Sequence, residues 1–86
     1  MKKIAVVLSG CGHRDGSEIT EAVSLLIALN QAGASVSCFA PNIEFPVTDA
    51  LTGKPTGEQR SVLVESARIA RGQIEDLAKC RILVPA

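Results

Sequence analysis

A short apolar run that ends at a glycine-flanked cysteine constrains the fold of this chain more than any other feature. Ile4 to Leu8 is apolar without interruption, as in a strand buried on both faces of a parallel sheet. It leads into Ser9-Gly10-Cys11-Gly12, and residues 17–32 then place apolar side chains at helical spacing. This strand–turn–helix unit predicts an α/β fold with its polar groups at the carboxyl end of the strand, where open α/β sheets bind ligands.

The middle of the chain predicts a second strand and a long connection. Gly33 is the expected left-handed stop of the first helix. The alternating pattern of Ser35 to Ala40 predicts a strand parallel to the first, joined by a right-handed crossover. Pro41 to Pro55 holds three of the four prolines, and we interpret it as a long loop with room for a short hairpin.

The last third predicts a second helix and a third strand. A T-x-x-Q capping pattern that starts at Thr56 predicts a helix from about Glu58 to Arg71. Gly72 either ends this helix or kinks it, if the pattern continues to Cys80. Arg81 to Val84 is apolar and is the third predicted strand, in a sheet of order 2-1-3. Its exposed edge predicts a homo-oligomer or pairing with another chain.

Composition excludes several classes of function. The 86 residues predict one domain, and nine basic residues balance nine acidic ones, so we expect no nucleic-acid partner. No apolar run approaches the ~20 residues of a membrane helix, so we expect no membrane partner. Three widely spaced cysteines, an odd number, are typical of free thiols in a reducing cytoplasm, which is the predicted location.

The strand-end loop holds the candidate thiol. Cys11 lies between Gly10 and Gly12, which is consistent with a pocket thiol, a nucleophile or simply a small residue in a tight turn. His13 is the only histidine, and together with Cys11 it offers just two potential zinc ligands. Two ligands do not make a zinc site, so no metal is predicted. The glycines at 10, 12 and 16 miss the spacing of a dinucleotide fingerprint by one residue.

Three carboxylates surround the start of the first helix. Asp15 and Glu18 fit a D-x-x-E capping box, which is their purely structural interpretation. Glu21 lies one turn further along the same side. Helical side chains tilt toward the helix N-terminus, so a carboxylate here is expected to face the strand ends.

With these residues in view, the chain resembles the ElbB family, glyoxalase-type members of the PfpI branch of the class I glutamine-amidotransferase-like superfamily. The resemblance extends to about Lys79 and is most specific around Glu65–Gly72. The matching stretches are Leu8–Gly12, Asp15–Ile19, Glu21–Val23, Cys38–Pro41, Leu51–Gly53 and Glu65–Gly72.

The resemblance implies a flavodoxin-like three-layer sandwich of about three parallel strands with flanking helices. It implies cofactor-independent conversion of small glyoxal-type aldehydes to hydroxy acids, by a cysteine on a later nucleophile elbow. The assisting carboxylate is implied to be Glu18 or Glu21. Apart from the resemblance, Cys11 is our candidate for a substitute nucleophile. The implied pocket is lined by Ser9, Gly10, Gly12 and Asp15.

The chain departs from the family where the third strand ends. Pro85-Ala86 stands where the family continues with Pro-Gly-Gly and the elbow. We therefore expect residues 1–86 to form one partial domain of a truncated protein, weak or inactive alone. The alternatives are an enzyme that uses Cys11, and a non-catalytic module that pairs with a full-length homologue.

Overall fold

The computed structural model of the chain describes residues 2–80, so the predicted third strand at Arg81–Val84 lies outside the described residues. Three strands form a parallel sheet in the order β1-β2-β5, with β1 at Lys3–Val7, β2 at Ser35–Ala40 and β5 at Ile74–Asp76. The α/β class and the parallel pairing of the first two strands are confirmed. Because Ile74–Asp76 is a strand that pairs with β2, the suggested helical continuation to Cys80 is wrong.

Both helices pack on the same face of this sheet. Val6 and Leu8, next to each other on that face, form the buried core with Ala22 of helix α1 (Ile19–Gln31). The other apolar side chains packed against this core come from both helices and all three strands: Ile4, Leu26, Leu29, Val36, Cys38, Ile69, Ala70 and Ile74. Val7 points to the opposite face because strand side chains alternate, and it is about half exposed.

Helix α1 begins and ends close to its predicted bounds. Glu18 is its N-cap, and its side chain accepts a hydrogen bond from the backbone N–H of Glu21. After the C-cap Ala32, Gly33 adopts the left-handed conformation, with φ of 79°. The predicted glycine stop is confirmed, since a residue without Cβ enters this region at no steric cost.

A β-hairpin occupies most of the segment predicted as a loop with room for a short hairpin, and it extends into the first turn of the predicted second helix. Strand β3 (Glu44–Thr48) pairs antiparallel with β4 (Pro55–Ser61). The helix start near Glu58 is therefore wrong. The hydroxyl of Thr56 donates to the carbonyl of Val47 at 3.3 Å, and it also accepts from the Glu58 N–H, inside the hairpin. Pairing with β3 overrides the local helix signal of this segment.

Helix α2 (Val62–Ala70) begins after the cap Ser61, whereas the sequence analysis predicted a cap at Thr56. The hydroxyl of Ser61 accepts a hydrogen bond from the Val64 N–H at 3.2 Å. The helix ends at Ala70. Its C-cap Arg71 is left-handed with φ of 56°, and Gly72 follows in the same region, so the stop at Gly72 is confirmed.

Glu65 and Arg68 form an ion pair on α2, and the acid of this pair is buried. Glu65 is 6% exposed, and its Oε1 lies 3.3 Å from the Arg68 Nε and 3.5 Å from an Arg60 guanidinium nitrogen. Arg60 comes from β4, so this carboxylate links the hairpin to α2. A contact of this kind constrains tertiary structure more than a solvated pair on one helix.

Candidate functional site

The loop from Ser9 to Ser17 closes on itself at the carboxyl end of β1. The Ser9 N–H donates to the Ser17 hydroxyl at 2.8 Å, and the Ser17 N–H donates to the Ser9 carbonyl at 3.2 Å. The Gly12 N–H donates to the Ser17 carbonyl at 3.0 Å. These bonds use backbone groups at both ends of the loop and fix its path from β1 into α1.

Helix α2 holds this loop through one buried hydrogen bond. Gly10 is buried with φ of 92°, and its N–H donates to the Ser66 hydroxyl at 2.8 Å. Ser66 is 0% exposed. The sequence analysis assigned no role to Ser66, which lies among apolar residues of the second helix. The available signal was this isolated hydroxyl among apolar neighbours, because a buried polar group requires a partner.

The hairpin holds the loop from its other side. The Thr48 N–H donates to a carboxylate oxygen of Asp15 at 2.7 Å, so Asp15 ties the loop to β3 and does not cap α1. The D-x-x-E capping box is therefore wrong for Asp15. Arg14, left-handed with φ of 78°, places its guanidinium directly against Gly53 in the hairpin turn.

Two clefts flank the loop. The first, about 550 Å³, lies between the loop and the hairpin, and Ser9, Asp15 and Phe45 are among its lining residues. The second, about 230 Å³, lies between the end of β1 and the first turns of α1. We call this second cleft the β1–α1 groove; it is lined by Val6, Val7, Leu8, Ser17, Glu18, Glu21, Ala22 and Leu25.

The structure brings both candidate carboxylates of α1 to the β1–α1 groove. Glu18 and Glu21 are neighbours there, but their surroundings differ. One carboxylate oxygen of Glu18 accepts the Glu21 N–H at 2.8 Å, and this backbone bond lowers the pKa of Glu18 below its ordinary value. Among residues 2–80, no hydrogen bond or ion pair occupies the Glu21 carboxylate, which remains exposed in the groove.

Cys11 is half-buried in the loop and lines neither of these two clefts. Its thiol therefore shares neither cleft with Glu18 or Glu21 within one copy of the described chain, and its use as a nucleophile stays a prediction. Cys38 lies in β2, where burial raises the pKa of its thiol, and Cys80 is buried. Within the described part of the chain, no three potential metal ligands come together, and neither described helix is long and apolar enough to cross a membrane.

We expect the helix cap at Glu18 to make stability depend on pH. Its pKa is lowered in the folded chain, so the ionised form stabilises the fold above the ordinary carboxyl range, ~4, and this contribution disappears as pH falls through the folded-state value. Urea unfolding of the parent and Glu18→Gln should differ at neutral pH, with the parent more stable, and the difference should shrink at a pH well below the ordinary carboxyl range, ~4. An equal difference at both pH values would contradict this origin.

The fold and the strand-end loop define an amidotransferase-like protein of flavodoxin-like type. A crystal structure of an isoprenoid biosynthesis protein with an amidotransferase-like domain, from Ehrlichia chaffeensis, superposes with a TM-score of 0.92 and 46% identity. The match covers 95% of this chain and 39% of that one. No model of a protein family matches the chain.

Sequence relatives agree with this class. The human glutamine amidotransferase-like class 1 domain-containing protein 3, mitochondrial, is 54% identical over 78 residues, which are 88% of this chain and 29% of the relative. The mitochondrial ES1 protein homolog of Rattus norvegicus is 51% identical over 79 residues, 90% of this chain and 30% of the relative. This chain is thus homologous to part of the glutamine amidotransferase-like class 1 proteins of the ES1 and ElbB type, which confirms the predicted resemblance. It spans about a third of the length of these relatives.

Proposed function

We propose that this chain supplies the carboxylate side of a glyoxalase-type site, with Glu21 as the group that carries the proton. The observation that supports this proposal most is the β1–α1 groove, where Glu21 lies beside the end of the first strand. Ligand sites of open α/β sheets lie at such strand ends. The amidotransferase-like names of the relatives support an enzymatic reaction as the function to test.

Glu21 suits this role better than Glu18. A proton carrier must release and take up its proton near the working pH, and it needs a carboxylate that faces the substrate. Glu18 already accepts a backbone N–H, which favours its ionised form and orients it toward the helix. Glu21 lines the same groove, and no group of residues 2–80 engages its carboxylate.

The chemistry we propose rearranges a small dialdehyde or ketoaldehyde with water as the only co-reactant. A thiolate adds to one carbonyl carbon, and the resulting alkoxide is protonated to form a hemithioacetal. The carboxylate takes the proton from that carbon and delivers it to the adjacent one, which oxidises the first carbon to a thioester and reduces the second to an alcohol. Water hydrolyses the thioester, which releases the hydroxy acid and the thiolate.

Within the described residues, no cysteine lines the β1–α1 groove, and this argues that the thiol comes from another segment or another polypeptide. Cys11, Cys38 and Cys80 all lie elsewhere. We therefore expect the chain alone to convert glyoxal to glycolate no faster than buffer does. Cys11→Ser should leave that result unchanged, and a rate above buffer that this substitution abolishes would favour Cys11 as nucleophile.

A chimera tests the role of Glu21 directly. This chain replaces the matching part of the Ehrlichia chaffeensis protein, whose backbone it follows closely, and glycolate formation from glyoxal is measured. The chimera should turn over glyoxal, and Glu21→Gln should reduce kcat by roughly 10²–10⁴-fold, the range for loss of a general acid–base group. Glu18→Gln, one turn away in the same groove, is the matched control and should retain most of kcat.

Two results would overturn the proposal. If the unmodified Ehrlichia chaffeensis protein does not convert glyoxal to glycolate, the proposed glyoxalase reaction is wrong. If Glu21→Gln retains full kcat in the chimera while Glu18→Gln loses it, the proton-carrying residue is Glu18 and not Glu21.

A further inference from the structure

Helix α2 presents two adjacent buried polar side chains to two different neighbours. Glu65 contacts the guanidinium of Arg60 from β4, and Ser66 accepts the Gly10 N–H from the strand-end loop. Glu65 is 6% exposed and Ser66 is 0% exposed. A buried charge and a buried hydroxyl both require partners, because leaving either of them unpaired costs free energy. This one turn of helix therefore holds the hairpin and the loop together.

The hairpin returns to the same loop. Phe45 lies opposite Arg60 in the β3–β4 register, so the two side chains share one face of the hairpin. The end of the Phe45 ring lies beside Gly10, since its Cζ is 3.7 Å from the position that a Cβ at Gly10 would take. These contacts form a closed circuit, which we call the α2–hairpin clamp: Glu65, Arg60, Phe45, Gly10 and Ser66.

We propose that the Arg60–Glu65 ion pair is a positioning contact for the strand-end loop and acts on it through the hairpin. While the pair is intact, the hairpin holds Phe45 against Gly10 and presents the Thr48 N–H to the Asp15 carboxylate. Without it, β4 is held less tightly to α2, and both of these contacts weaken. Chains of packed side chains and ion pairs carry coupling of this kind between segments.

The buried carboxylate of Glu65 has a second cation that does not cross between elements. Its Oε1 lies 3.5 Å from an Arg60 nitrogen and 3.3 Å from the Arg68 Nε. Arg60 belongs to β4, whereas Arg68 lies one turn further along α2. Loss of either arginine removes one cation from the same oxygen, but loss of Arg60 alone opens the clamp. The two side chains are 45% and 67% exposed, so we expect both variants to fold.

Native-state hydrogen exchange, resolved by NMR, tests this proposal in the unmodified chain, Arg60→Gln and Arg68→Gln. Arg60→Gln should speed exchange of the Gly10 and Thr48 N–H groups by roughly 2–30-fold, the effect typical of residues that couple separate sites. Exchange of the Leu8 N–H, which is bonded within the parallel sheet, should change less. Arg68→Gln should leave all three rates close to those of the unmodified chain.

Glu58→Gln separates the two carboxylates that Arg60 contacts. Glu58 lies 3.4 Å from Arg60, but it belongs to the same strand and its side chain is 62% exposed, so this variant should behave like Arg68→Gln. Unchanged exchange of Gly10 and Thr48 in Arg60→Gln would overturn the proposal. Equal acceleration of these two amides and the Leu8 amide would also overturn it, since that is a loss of global stability. So would the same selective effect in either control.

The clamp has a consequence for the reaction, and this step rests on the proposed function. The loop leads directly into the first turn of α1, where Glu21 lies. In the chimera with the Ehrlichia chaffeensis protein, Arg60→Gln should lower kcat for glyoxal within the same range, roughly 2–30-fold, and Arg68→Gln should retain it. KM should change little, because Arg60 does not line the β1–α1 groove.

The two readouts keep the two proposals apart. A chimera without turnover contradicts the proposed reaction, whereas the exchange rates of Gly10 and Thr48 decide the role of the Arg60–Glu65 pair by themselves. If exchange accelerates selectively in Arg60→Gln while kcat is unchanged, the loop is positioned by the clamp but the reaction does not depend on it, and the catalytic step of this inference is wrong.

Discussion

Gly16→Ala is expected to destabilise the chain strongly, at the upper end of the roughly 1–3 kcal/mol range typical of overpacking. A Cβ at this position would lie 2.9 Å from the Cys11 nitrogen, 3.1 Å from the Ser9 oxygen and 3.2 Å from the Gly10 carbonyl carbon. All three are backbone atoms, so the loop must move. That movement would also break the bonds that join Ser9 to Ser17. Urea unfolding followed by far-UV circular dichroism measures the loss.

Gly12→Ala is the matched control for this prediction. It makes the same chemical change in the same loop, and the atoms within 4 Å of the added Cβ belong to the Asp15 side chain. That carboxylate also accepts the Thr48 N–H, so its displacement has a cost of its own. A side chain can still rotate away where backbone cannot, so the loss of stability should be smaller than for Gly16→Ala. If the two variants unfold at the same urea concentration, close backbone packing at Gly16 is not what determines the stability of this loop.

Ser66→Ala is expected to cost about 1–3 kcal/mol, the range for leaving a buried donor unsatisfied. The Gly10 N–H is buried and donates to the Ser66 hydroxyl, and alanine offers no acceptor in its place. The same truncation at Ser24, which lies on the exposed side of α1, should be close to neutral. The two variants are compared by urea unfolding, as above.

A second measurement ties the effect of Ser66→Ala to the loop. Cys11 is adjacent to Gly10 and half-buried, so release of the loop from α2 should expose its thiol more often. Alkylation of Cys11 under native conditions, located by mass spectrometry, should be faster in Ser66→Ala than in Ser24→Ala. Equal alkylation rates together with equal stability would show that this hydrogen bond does not hold the loop.

The start of the second helix shows where local sequence signals stop being sufficient. The T-x-x-Q pattern at Thr56 is a sound capping signal by itself, yet Pro55–Ser61 pairs with β3 and the cap passes to Ser61. Asp15 behaves in the same way, since its carboxylate binds the N–H of Thr48, 33 residues away. In both segments a partner distant in sequence replaces the local hydrogen bond. The periodicity of the sequence does not identify that partner.

The same distinction between local and distant partners applies to the candidate site. The carboxylates at the start of α1 and the glycine-rich loop were identifiable, because the strand–turn–helix pattern fixes their position at the strand end. Ser66 was not assigned a role, because its partner Gly10 is 56 residues away. The separation of Cys11 from the groove of Glu18 and Glu21 likewise required coordinates, since adjacency in sequence does not determine which cleft a loop side chain lines.

Sequence alone determined the α/β class, the first strand and helix, the glycine stop at Gly33 and the family resemblance. Each of these depends on periodicity or on residues close together along the chain. Only the tertiary structure decided that β2 lies between β1 and β5, that both helices share one face of the sheet, and that α2 and the hairpin hold the strand-end loop. These features depend on contacts between distant segments, whose energies are set by packing and burial rather than by local propensity.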